Sequence, residues 1–328
     1  MPQMYCSGRA VDSMPPMTTG GTEAKRTVCF SCESGPLRTR FDDVRGVISG
    51  RYRIVQCDEC DIAFIQTREA ERVDYSDYGD HLATQSDDYF AARVSHMSAA
   101  KRVLFRYLMR RFGADANVLD FGGGAGFFVR SCLTFGFRHV YLVEPSFKLR
   151  AVAENRLGLD ASNTSEDIAA FDAQFDVVAM LDVIEHLPVE LFGEIMTGIV
   201  RKMRPGAILL GTTPNLNSLN IKLFKQKDPV IAPPLHRLYF TSASLDSYLR
   251  KLGLRKKMLF VTGLSTNSFF RTEKFSPSWV ERPRGWRKPV ALAVRVLFAG
   301  AGALLTLSDA GYGIYFVYEK TNAPVTDS

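Results

Sequence analysis

Three glycines at alternate positions follow an apolar run that ends in an acid. In the segment VLDFGGGAGFF, residues 118–128, Asp120 precedes Gly122, Gly124 and Gly126. The pattern predicts a buried parallel strand, a tight turn and the start of a helix. Glycine permits positive φ angles, and without a Cβ atom the backbone can lie directly against a ligand. The N–H groups that open the helix would then face that ligand.

A second acid, Glu144, closes the next apolar run, HVYLVE. A carboxylate at this place can accept hydrogen bonds from both hydroxyls of a ribose, which indicates a nucleoside-containing cofactor. Dinucleotide-binding folds share this feature, but their glycines follow the spacing G-x-G-x-x-G. Here the spacing is D-x-G-x-G-x-G. Residues further along the chain must therefore separate the two cofactor classes.

A cluster of acids and histidines follows the apolar run FDVVAML. Asp182, Glu185 and His186 are spaced i, i+3 and i+4, so one helical turn would place them on one side. His236 lies further on, in PLHRLYF. A histidine near neutral pKa can act as a general base, and His236 is the preferred base, with His186 and Glu185 as the other catalytic candidates. The alternative is that these residues only shape the loop before Pro188.

The four motifs, which include FDVVAMLDVIEHLP (175–188) and RPGAILLGTTPN (204–215), make residues 89–320 resemble the class I S-adenosylmethionine-dependent methyltransferases. The resemblance implies S-adenosylmethionine as cofactor, with Glu144 on its ribose and either Glu166 or Asp167 near its adenine amino group. The predicted cofactor residues are Asp120, Gly122, Gly124, Gly126, Glu144, Glu166, Asp167 and Asp182.

A narrower resemblance concerns the acids and histidines. Ubiquinone-type O-methyltransferases and small-RNA terminal methyltransferases use two acids and a histidine at this spacing, plus a later histidine, to hold a divalent ion against substrate oxygens. By this resemblance Asp182, Glu185, His186 and His236 would hold such an ion, although Asp182 stands where those families have Glu. Two oxygens and two imidazoles suit a divalent metal.

Four cysteines form two C-x-x-C pairs, Cys29 with Cys32 and Cys57 with Cys60. Two such knuckles can place four thiolates around one structural zinc ion, and the metal would stabilise a segment too short to bury its own core. Four unligated thiols are the alternative. The segment resembles the zinc-ribbon preface of many bacterial small-molecule and saccharide methyltransferases. Glu33 and Asp61 stand where those proteins often carry glycine, which predicts a strained turn at each knuckle.

The elements that must position these residues alternate along the chain. Strands are expected at 117–121, 138–143, 158–161, 175–181 and 207–213, with helices at 125–136, 146–157 and 188–203 between them. A helix at 240–254 and two last strands follow, and one helix over 86–112 precedes the first motif. The prediction is an α/β, Rossmann-like fold with a mainly parallel, seven-stranded sheet, helices on both faces and a small N-terminal zinc ribbon.

The domain organisation follows from these patterns. We expect a tail at 1–27, the ribbon at 28–68, a linker and helical cap at 69–115, the methyltransferase domain at 116–320 and a tail at 321–328. Residues 215–238 have no clear period and are expected to form a substrate-facing loop or to be disordered. The apolar stretch 290–307 is expected to be a buried or interfacial helix, because an arginine and glycines interrupt it.

Composition limits the classes of partner. The chain has 328 residues, 46% of them hydrophobic and 23% charged, with a formal net charge of +6, so a large core can be buried. No apolar export signal opens the chain, which predicts a cytoplasmic protein with reduced cysteines. Basic residues at 282–288 could meet phosphate, an anionic membrane surface or only solvent, and the segment 282–307 is the candidate for peripheral membrane contact.

The function expected from the sequence is methyl transfer from S-adenosylmethionine to an oxygen or carbon of a small or lipid-linked acceptor, such as a saccharide or secondary metabolite. A protein that only binds the cofactor is one alternative, and an RNA or protein methyltransferase is another. Against nucleic acid, the basic residues form no stripe interleaved with aromatic residues.

Overall fold

The computed structural model describes residues 28–33, 35–47, 50–66, 76–95, 99–263 and 309–322. Its strands are β1 (Leu37–Arg45), β2 (Arg51–Cys57), β3 (Ala63–Ile65), β4 (Asn117–Phe121), β5 (His139–Val143), β6 (Thr164–Ser165), β7 (Phe175–Leu181), β8 (Met203–Pro214), β9 (Leu238–Tyr239), β10 (Leu254–Thr262) and β11 (Gly313–Lys320). Its α-helices are α1 (Ser76–Ala83), α2 (Asp87–Ser95), α3 (Ala99–Phe112), α4 (Phe127–Phe135), α5 (Phe147–Leu157), α6 (Phe192–Lys202), α7 (Leu219–Phe224) and α8 (Ser242–Lys251).

Seven strands form the central sheet, in the order β10-β11-β8-β7-β4-β5-β6. The pairs from β8 through β6 are parallel, whereas β11 runs antiparallel to both of its neighbours. The strand order reverses between β4 and β7, and ligands of open α/β sheets bind at such a switch point, beyond the carboxyl ends of the strands. The predicted Rossmann-like sheet of seven mainly parallel strands is confirmed.

Both faces of this sheet are covered because its strands are apolar on both sides. Along β7, Val177 and Ala179 belong to one buried cluster, while Val178 and Met180 belong to the other. The first cluster includes residues of α3, α4 and α5, and the second includes residues of α6 and α8. Alternate side chains of a strand point to opposite faces, so each strand joins the two cores.

Local signals set the ends of the helices. The Ser146 side chain accepts a hydrogen bond from the Leu149 N–H at the start of α5, and Thr241 with Ser244 forms a capping box at the start of α8. Gly136 ends α4 in the left-handed conformation, at φ 114°. These caps place α4 and α5 directly after the glycine turn and after Glu144.

A second, four-stranded sheet has the order β1-β2-β3-β9. Three of its strands come from the segment with the four cysteines, whereas β9 comes from residues beyond position 230. Ala63 pairs with Tyr239 and Phe64 with Leu238, both antiparallel. The cysteine-bearing segment, called the ribbon below, therefore shares a sheet with the catalytic half of the chain.

Some predicted elements differ from those observed. The short strand expected at 158–161 is β6 at Thr164–Ser165, because Asp160 instead caps a 3-10 helix at Ala161–Asn163. A single helix was expected over residues 86–112, but this range holds two helices, α2 and α3. Residues 215–238 contain α7 and a 3-10 helix at Lys225–Lys227, so the alternative of disorder is wrong for this segment.

Two predictions fall on parts of the chain outside the described residues. One is the tail at 1–27, and the other is the apolar helix at 290–307 with the basic cluster at 282–288 before it; of the tail expected at 321–328, only residues 321 and 322 are described. Within the described ranges, none of the helices has the length and hydropathy needed to span a bilayer.

Candidate active site

The glycine turn between β4 and α4 has the backbone conformation that its sequence predicts. The backbone φ angles of Gly122, Gly124 and Gly126 are 75°, 55° and 79°, values that residues with a side chain rarely adopt. The Gly122 N–H donates to the carbonyl oxygen of Val143 over 2.7 Å, which ties the turn to the end of β5. The turn and Glu144 are thereby brought together.

Gly123 meets a second requirement, which is steric. A Cβ atom at this position would lie 2.3 Å from Asp120 Oδ2 and 2.4 Å from Leu142 Cδ1. Neither atom can yield easily, because Asp120 and Leu142 are both buried. The backbone at Gly123 must therefore stay bare so that the turn can pack directly on Asp120 and Leu142, and this packing fixes the position of the turn.

Glu144 is buried at the end of β5 and is held by backbone donors. Its Oε2 accepts from the Gly124 N–H over 3.0 Å and its Oε1 from the Ser146 N–H over 2.9 Å. Each carboxylate oxygen has a further lone pair, so both can still accept from ribose hydroxyls. Burial raises the pKa of Glu144 to about 7, against the opposing effect of these two hydrogen bonds.

Asp120 lies under the turn in a polar network that the sequence did not predict. Burial, with the Glu144 carboxylate as a further cause, raises the pKa of Asp120 to about 7. The Lys101 ammonium of α3 opposes that rise, and it also donates to Ser131 Oγ over 2.9 Å. Burial in turn lowers the pKa of Lys101. Burial thus favours the neutral form of Asp120 beneath the glycine turn, and the nearby Lys101 ammonium favours the charged form.

The two candidates for the adenine contact have different surroundings. Glu166 is exposed, whereas half-buried Asp167 caps a 3-10 helix at Ile168–Ala170, where its Oδ1 accepts from the Ala169 N–H over 2.9 Å. The Glu144 N–H donates to the Ser165 carbonyl over 2.8 Å, so both acids lie beside the ribose-binding position. Only Asp167 has a fixed orientation there.

Glu185, His186 and His236 form one cluster at the opposite side of the switch point. Each offers one ligand atom, and these atoms lie within 4.8 Å of one another. The two imidazole rings make an edge contact, with centroids 4.8 Å apart. The cluster has two parts in the chain, a 3-10 helix at Ile184–His186 and His236, which lies two residues before β9.

Hydrogen bonds define which nitrogen of each ring is available. His186 Nδ1 lies 2.8 Å from the Leu235 carbonyl oxygen, and His236 Nδ1 lies 2.7 Å from that of Val230. A carbonyl only accepts, so both Nδ1 atoms carry hydrogen and both Nε2 atoms keep a lone pair. Metal-binding histidines typically show this arrangement.

Burial makes the cluster electrically neutral. Burial lowers the pKa of His236 to about 4, and together with His236 it lowers the pKa of His186 well below its usual value. Burial and the nearby Asp182 carboxylate raise the pKa of Glu185 to about 8, while Thr213 Oγ1 donates to Glu185 Oε2 over 2.9 Å. A cation bound among these three groups would require the Glu185 carboxyl to lose its proton, because only the carboxylate is a metal ligand.

Asp182 does not join this cluster. It has φ 55°, and the Thr212 hydroxyl donates to its Oδ1 over 2.8 Å. Thr212 and Thr213 are consecutive in β8 and therefore point to opposite faces of the sheet. One holds Asp182 and the other holds Glu185. Of the four predicted metal ligands, the structure brings together Glu185, His186 and His236. Asp182 is separated from them because its left-handed backbone and a 3-10 turn replace the expected α-helical turn.

The four cysteines also form a cluster. Their Sγ atoms lie within 4.8 Å of one another, with Cys29 and Cys60 3.5 Å apart and Cys32 and Cys57 3.6 Å apart. These separations exclude disulfides, whose sulfur atoms are about 2.05 Å apart. Backbone N–H groups of Ser31 and Glu59 donate to the sulfurs of Cys29 and Cys57, which favours thiolates.

The surroundings of the cysteines fit a tetrahedral zinc ion. A Cβ atom at Gly35 would lie 2.3 Å from Cys57 Sγ and 2.9 Å from Cys32 Sγ, so the backbone there has closed around the cluster. The hydrogen bond between Cys60 and Cys29 lowers the pKa of Cys29 to about 5 and raises the pKa of Cys60, because the two sulfur atoms share one proton. Glu33 and Asp61 have φ angles of 57° and 61°, which confirms the strained turns predicted at both knuckles.

Gly123, Lys101, Ser131 and Thr213 were missed in the sequence. Of these, only Gly123 had a signal, since it belongs to the unbroken triplet of glycines at 122–124. The other three are ordinary polar residues of helices and of a strand, and only the fold places them beside the acids.

Comparison with known families identifies this arrangement. A family model described as a methyltransferase domain matches residues 94–257, which is half of the chain. A search of curated proteins found no match. Among solved structures, similar chains include a SAM-dependent methyltransferase from Archaeoglobus fulgidus, at 20% identity and TM-score 0.45, covering 75% of this chain and 100% of that one.

Two other similar structures have comparable values. A SAM-dependent methyltransferase from Mesorhizobium loti has 14% identity and TM-score 0.43, with 68% of this chain and 99% of that chain covered. Phosphoethanolamine N-methyltransferase 2 from Haemonchus contortus, in complex with S-adenosyl-L-methionine, has 17% identity and TM-score 0.43, with 88% and 70% covered. Given the family match, together with the sheet order and the bare glycine turn, the chain belongs to the class I S-adenosylmethionine-dependent methyltransferases.

Proposed function

We propose that the protein transfers a methyl group from S-adenosylmethionine to an oxygen of a small or lipid-linked acceptor, such as a saccharide or secondary metabolite, beside a divalent ion held by Glu185, His186 and His236. The observation that carries the proposal is the use of both Nδ1–H groups by backbone carbonyls, which leaves two lone pairs and one carboxyl group within 4.8 Å of one another.

The cofactor would lie across the carboxyl ends of β4 and β5. Gly122, Gly124 and Gly126 would allow its methionine and ribose to approach the backbone, and Glu144 would accept from its ribose hydroxyls. We assign the adenine contact to Asp167, because its carboxylate is oriented by the Ala169 N–H. Asp120 and Asp182 would contribute negative charge near the cationic cofactor.

The ligand role fits the histidines better than the role of general base. A base works best when its pKa is near the working pH, and a histidine with a pKa of about 4 removes a hydroxyl proton poorly. A divalent ion bound here would supply a Lewis acid that lowers the pKa of an acceptor hydroxyl. The methyl sulfonium is already activated, so the chain itself mainly has to hold the acceptor in line with the methyl group.

A structural zinc ion at Cys29, Cys32, Cys57 and Cys60 completes the proposal. Their four sulfur atoms and the enclosing backbone at Gly35 leave a closed site without an open coordination position. Closed four-thiolate sites stabilise folds and do not catalyse.

The test is methyl transfer from labelled S-adenosylmethionine to a panel of hydroxyl-bearing saccharides, phenols and lipid-linked sugars, with and without a chelator. We expect transfer that the chelator stops and that Mn²⁺ or Mg²⁺ restores. His236→Gln should lower Mn²⁺ affinity by more than about tenfold. His139→Gln is the matched control, because His139 is exposed at the start of β5. Transfer that is indifferent to metal would refute the role of the ion, and cofactor binding without transfer to any acceptor would favour a binding protein.

A further inference from the structure

The ribbon reaches the proposed metal cluster through backbone hydrogen bonds. Strand β3 pairs with β9, and β9 begins two residues after His236. Just before β9, the Ile65 N–H of the ribbon donates to the Arg237 carbonyl over 3.0 Å, and the Arg237 N–H donates to the Glu185 carbonyl over 2.8 Å. Arg237 therefore connects the ribbon to Glu185 on one side and is bonded covalently to His236 on the other.

The second cysteine knuckle has its own contact with this region. Asp61 follows Cys60 directly, and the Thr241 hydroxyl donates to Asp61 Oδ2 over 3.3 Å. Gln56 fixes the same carboxylate, since its Nε2 lies 2.7 Å from Asp61 Oδ1. Thr241 also caps α8. The ribbon thus forms hydrogen bonds near both ends of the segment 236–241, with Arg237 at one end and Thr241 at the other.

Side-chain packing connects the first knuckle to the same region. The ring of Phe30, which lies between Cys29 and Cys32, makes edge contacts with Phe64 of β3 and with Phe192 of α6, at 5.0 and 5.6 Å between centroids. Phe192 packs in turn against Phe240, 5.9 Å away. The apolar core beneath segment 236–241 is therefore shared by the ribbon and the catalytic half.

Besides the edge contact with the His186 ring, the contacts of His236 are local. Its N–H donates to the Ala232 carbonyl over 3.0 Å, its ring to Val230, and its own carbonyl accepts from the Tyr239 hydroxyl over 2.8 Å. All three partners belong to the same chain segment, 230–239. Two hydrogen bonds orient this segment relative to the Glu185–His186 turn, one from the Arg237 N–H to the Glu185 carbonyl and one between His186 Nδ1 and the Leu235 carbonyl. On its other side the segment is oriented by β9, an end strand that pairs with the ribbon.

We propose that the four-cysteine cluster of the ribbon positions His236 through the pairing of β3 with β9 and the contact between Asp61 and Thr241, so that a metal ion at the cysteines is required for tight divalent-ion binding at Glu185, His186 and His236. The inference rests on the proposed function for its second metal. It assigns the ribbon a positioning role in the active site, beyond stabilising the N-terminal segment.

Two substitutions at equivalent places test the coupling. Asp61→Gly and Glu33→Gly each replace an acid of positive φ after the second cysteine of a knuckle, so glycine relieves the backbone equally. Only Asp61 contacts Thr241, while Glu33 is exposed. Cys60→Ser is the stronger variant, since it removes one of the four thiolates. Zinc content, Mn²⁺ affinity, hydrogen exchange of residues 236–241 and affinity for S-adenosylhomocysteine are measured for each protein.

We expect Cys60→Ser to lose zinc, to bind Mn²⁺ about tenfold more weakly or worse, and to exchange amide hydrogens faster at 236–241. Mn²⁺ is the chosen probe because it prefers oxygen and nitrogen ligands to thiolates. Asp61→Gly should show a smaller effect of the same kind with zinc retained, and Glu33→Gly should match the wild type. Affinity for S-adenosylhomocysteine should stay unchanged throughout, which shows that the cofactor half is folded.

Each negative result of these measurements would overturn a different proposal. If the wild type binds no Mn²⁺, the proposed second metal is overturned. If it binds Mn²⁺ but Asp61→Gly and Cys60→Ser bind it equally well, with unchanged exchange at 236–241, the coupling is overturned and the proposed function stands. Should Cys60→Ser fail to fold, the comparison of Asp61→Gly with Glu33→Gly decides.

Discussion

Single atoms decide whether the glycine turn can hold a cofactor. Gly123→Ala would place a Cβ atom 2.3 Å from Asp120 Oδ2, so the turn or the buried acid must shift. We expect affinity for S-adenosylhomocysteine, measured by calorimetry, to fall by more than about tenfold, because a shifted turn would no longer match the cofactor position proposed above. Unchanged affinity would mean that the cofactor binds elsewhere.

Gly198→Ala is the control for this change. Gly198 lies within α6, and a Cβ atom there would meet nothing within 4 Å. Alanine favours a helix over glycine by up to about 1 kcal/mol, so this variant should be slightly more stable and bind the cofactor normally.

Glu144 predicts a dependence of cofactor binding on pH. Its pKa of about 7 means that the carboxyl group is protonated in the free protein below that pH. Accepting from two ribose hydroxyls requires the carboxylate, so affinity for S-adenosylhomocysteine should rise as pH increases from 6 to 8 and then level off. Calorimetry across this range measures the effect.

Glu144→Gln should weaken binding by about tenfold, because an amide N–H would face the N–H of Gly124 or Ser146. The rise with pH should also shrink, because the amide side chain of glutamine does not titrate between pH 6 and 8. Glu190→Gln, at an exposed position, serves as control. A steep rise that survives in Glu144→Gln would assign the titration to another group.

At the scale of elements, β8 supports different parts of the site from its two faces. Thr213→Val removes the donor to buried Glu185, which should cost about 1–3 kcal/mol of unfolding free energy and lower Mn²⁺ affinity about tenfold. Thr212→Val, one residue earlier on the other face, removes two hydrogen bonds to Asp182, one donated to its carboxylate and one accepted from its N–H. Because Asp182 is exposed, water can replace these bonds, so the variant should cost less in both measurements. Urea unfolding and Mn²⁺ titration make the comparison. Equal losses would contradict the separation of Asp182 from the cluster.

Elements with strong local signals were predictable. Strand β4 and helices α4 and α5 have an apolar run, glycines and a serine cap close together in sequence. The strand expected at 158–161 was displaced to β6 because Asp160 caps a turn, which period alone does not reveal. The sequence also could not predict that Asp182 lies apart from Glu185 and His186. Its positive φ angle depends on contacts with Thr212, which belongs to a strand thirty residues later.

At the scale of the whole molecule, an ion cluster joins distant elements. Glu319 of β11 pairs with Arg111 of α3 and with Arg255 and Lys257 of β10. The hydrogen bond from Arg255, with those from Arg111 and Lys257, lowers the pKa of Glu319 to about 2. A depressed pKa stabilises the fold above the unfolded value of about 4.3, and this contribution is lost as pH falls through 2.

Glu319→Gln should therefore lower the melting temperature at pH 7, and the difference from the wild type should vanish near pH 2. Asp115→Asn is the control, because Asp115 pairs with Arg138 on an exposed surface, where ion pairs contribute little. Thermal unfolding followed by circular dichroism at several pH values gives both curves. A constant difference at all pH values would assign the loss to packing and not to charge.

The pairing of β3 with β9 joins residues about 170 positions apart. During synthesis the cysteines leave the ribosome many seconds before residue 238 exists, since chains grow at about 5–20 residues per second. Until then β3 is an uncovered sheet edge, which is prone to pair with other chains. If the proposed zinc ion holds the ribbon, a chain without zinc would dock β9 on β3 more slowly after synthesis, so zinc depletion during expression should increase the insoluble fraction of the protein.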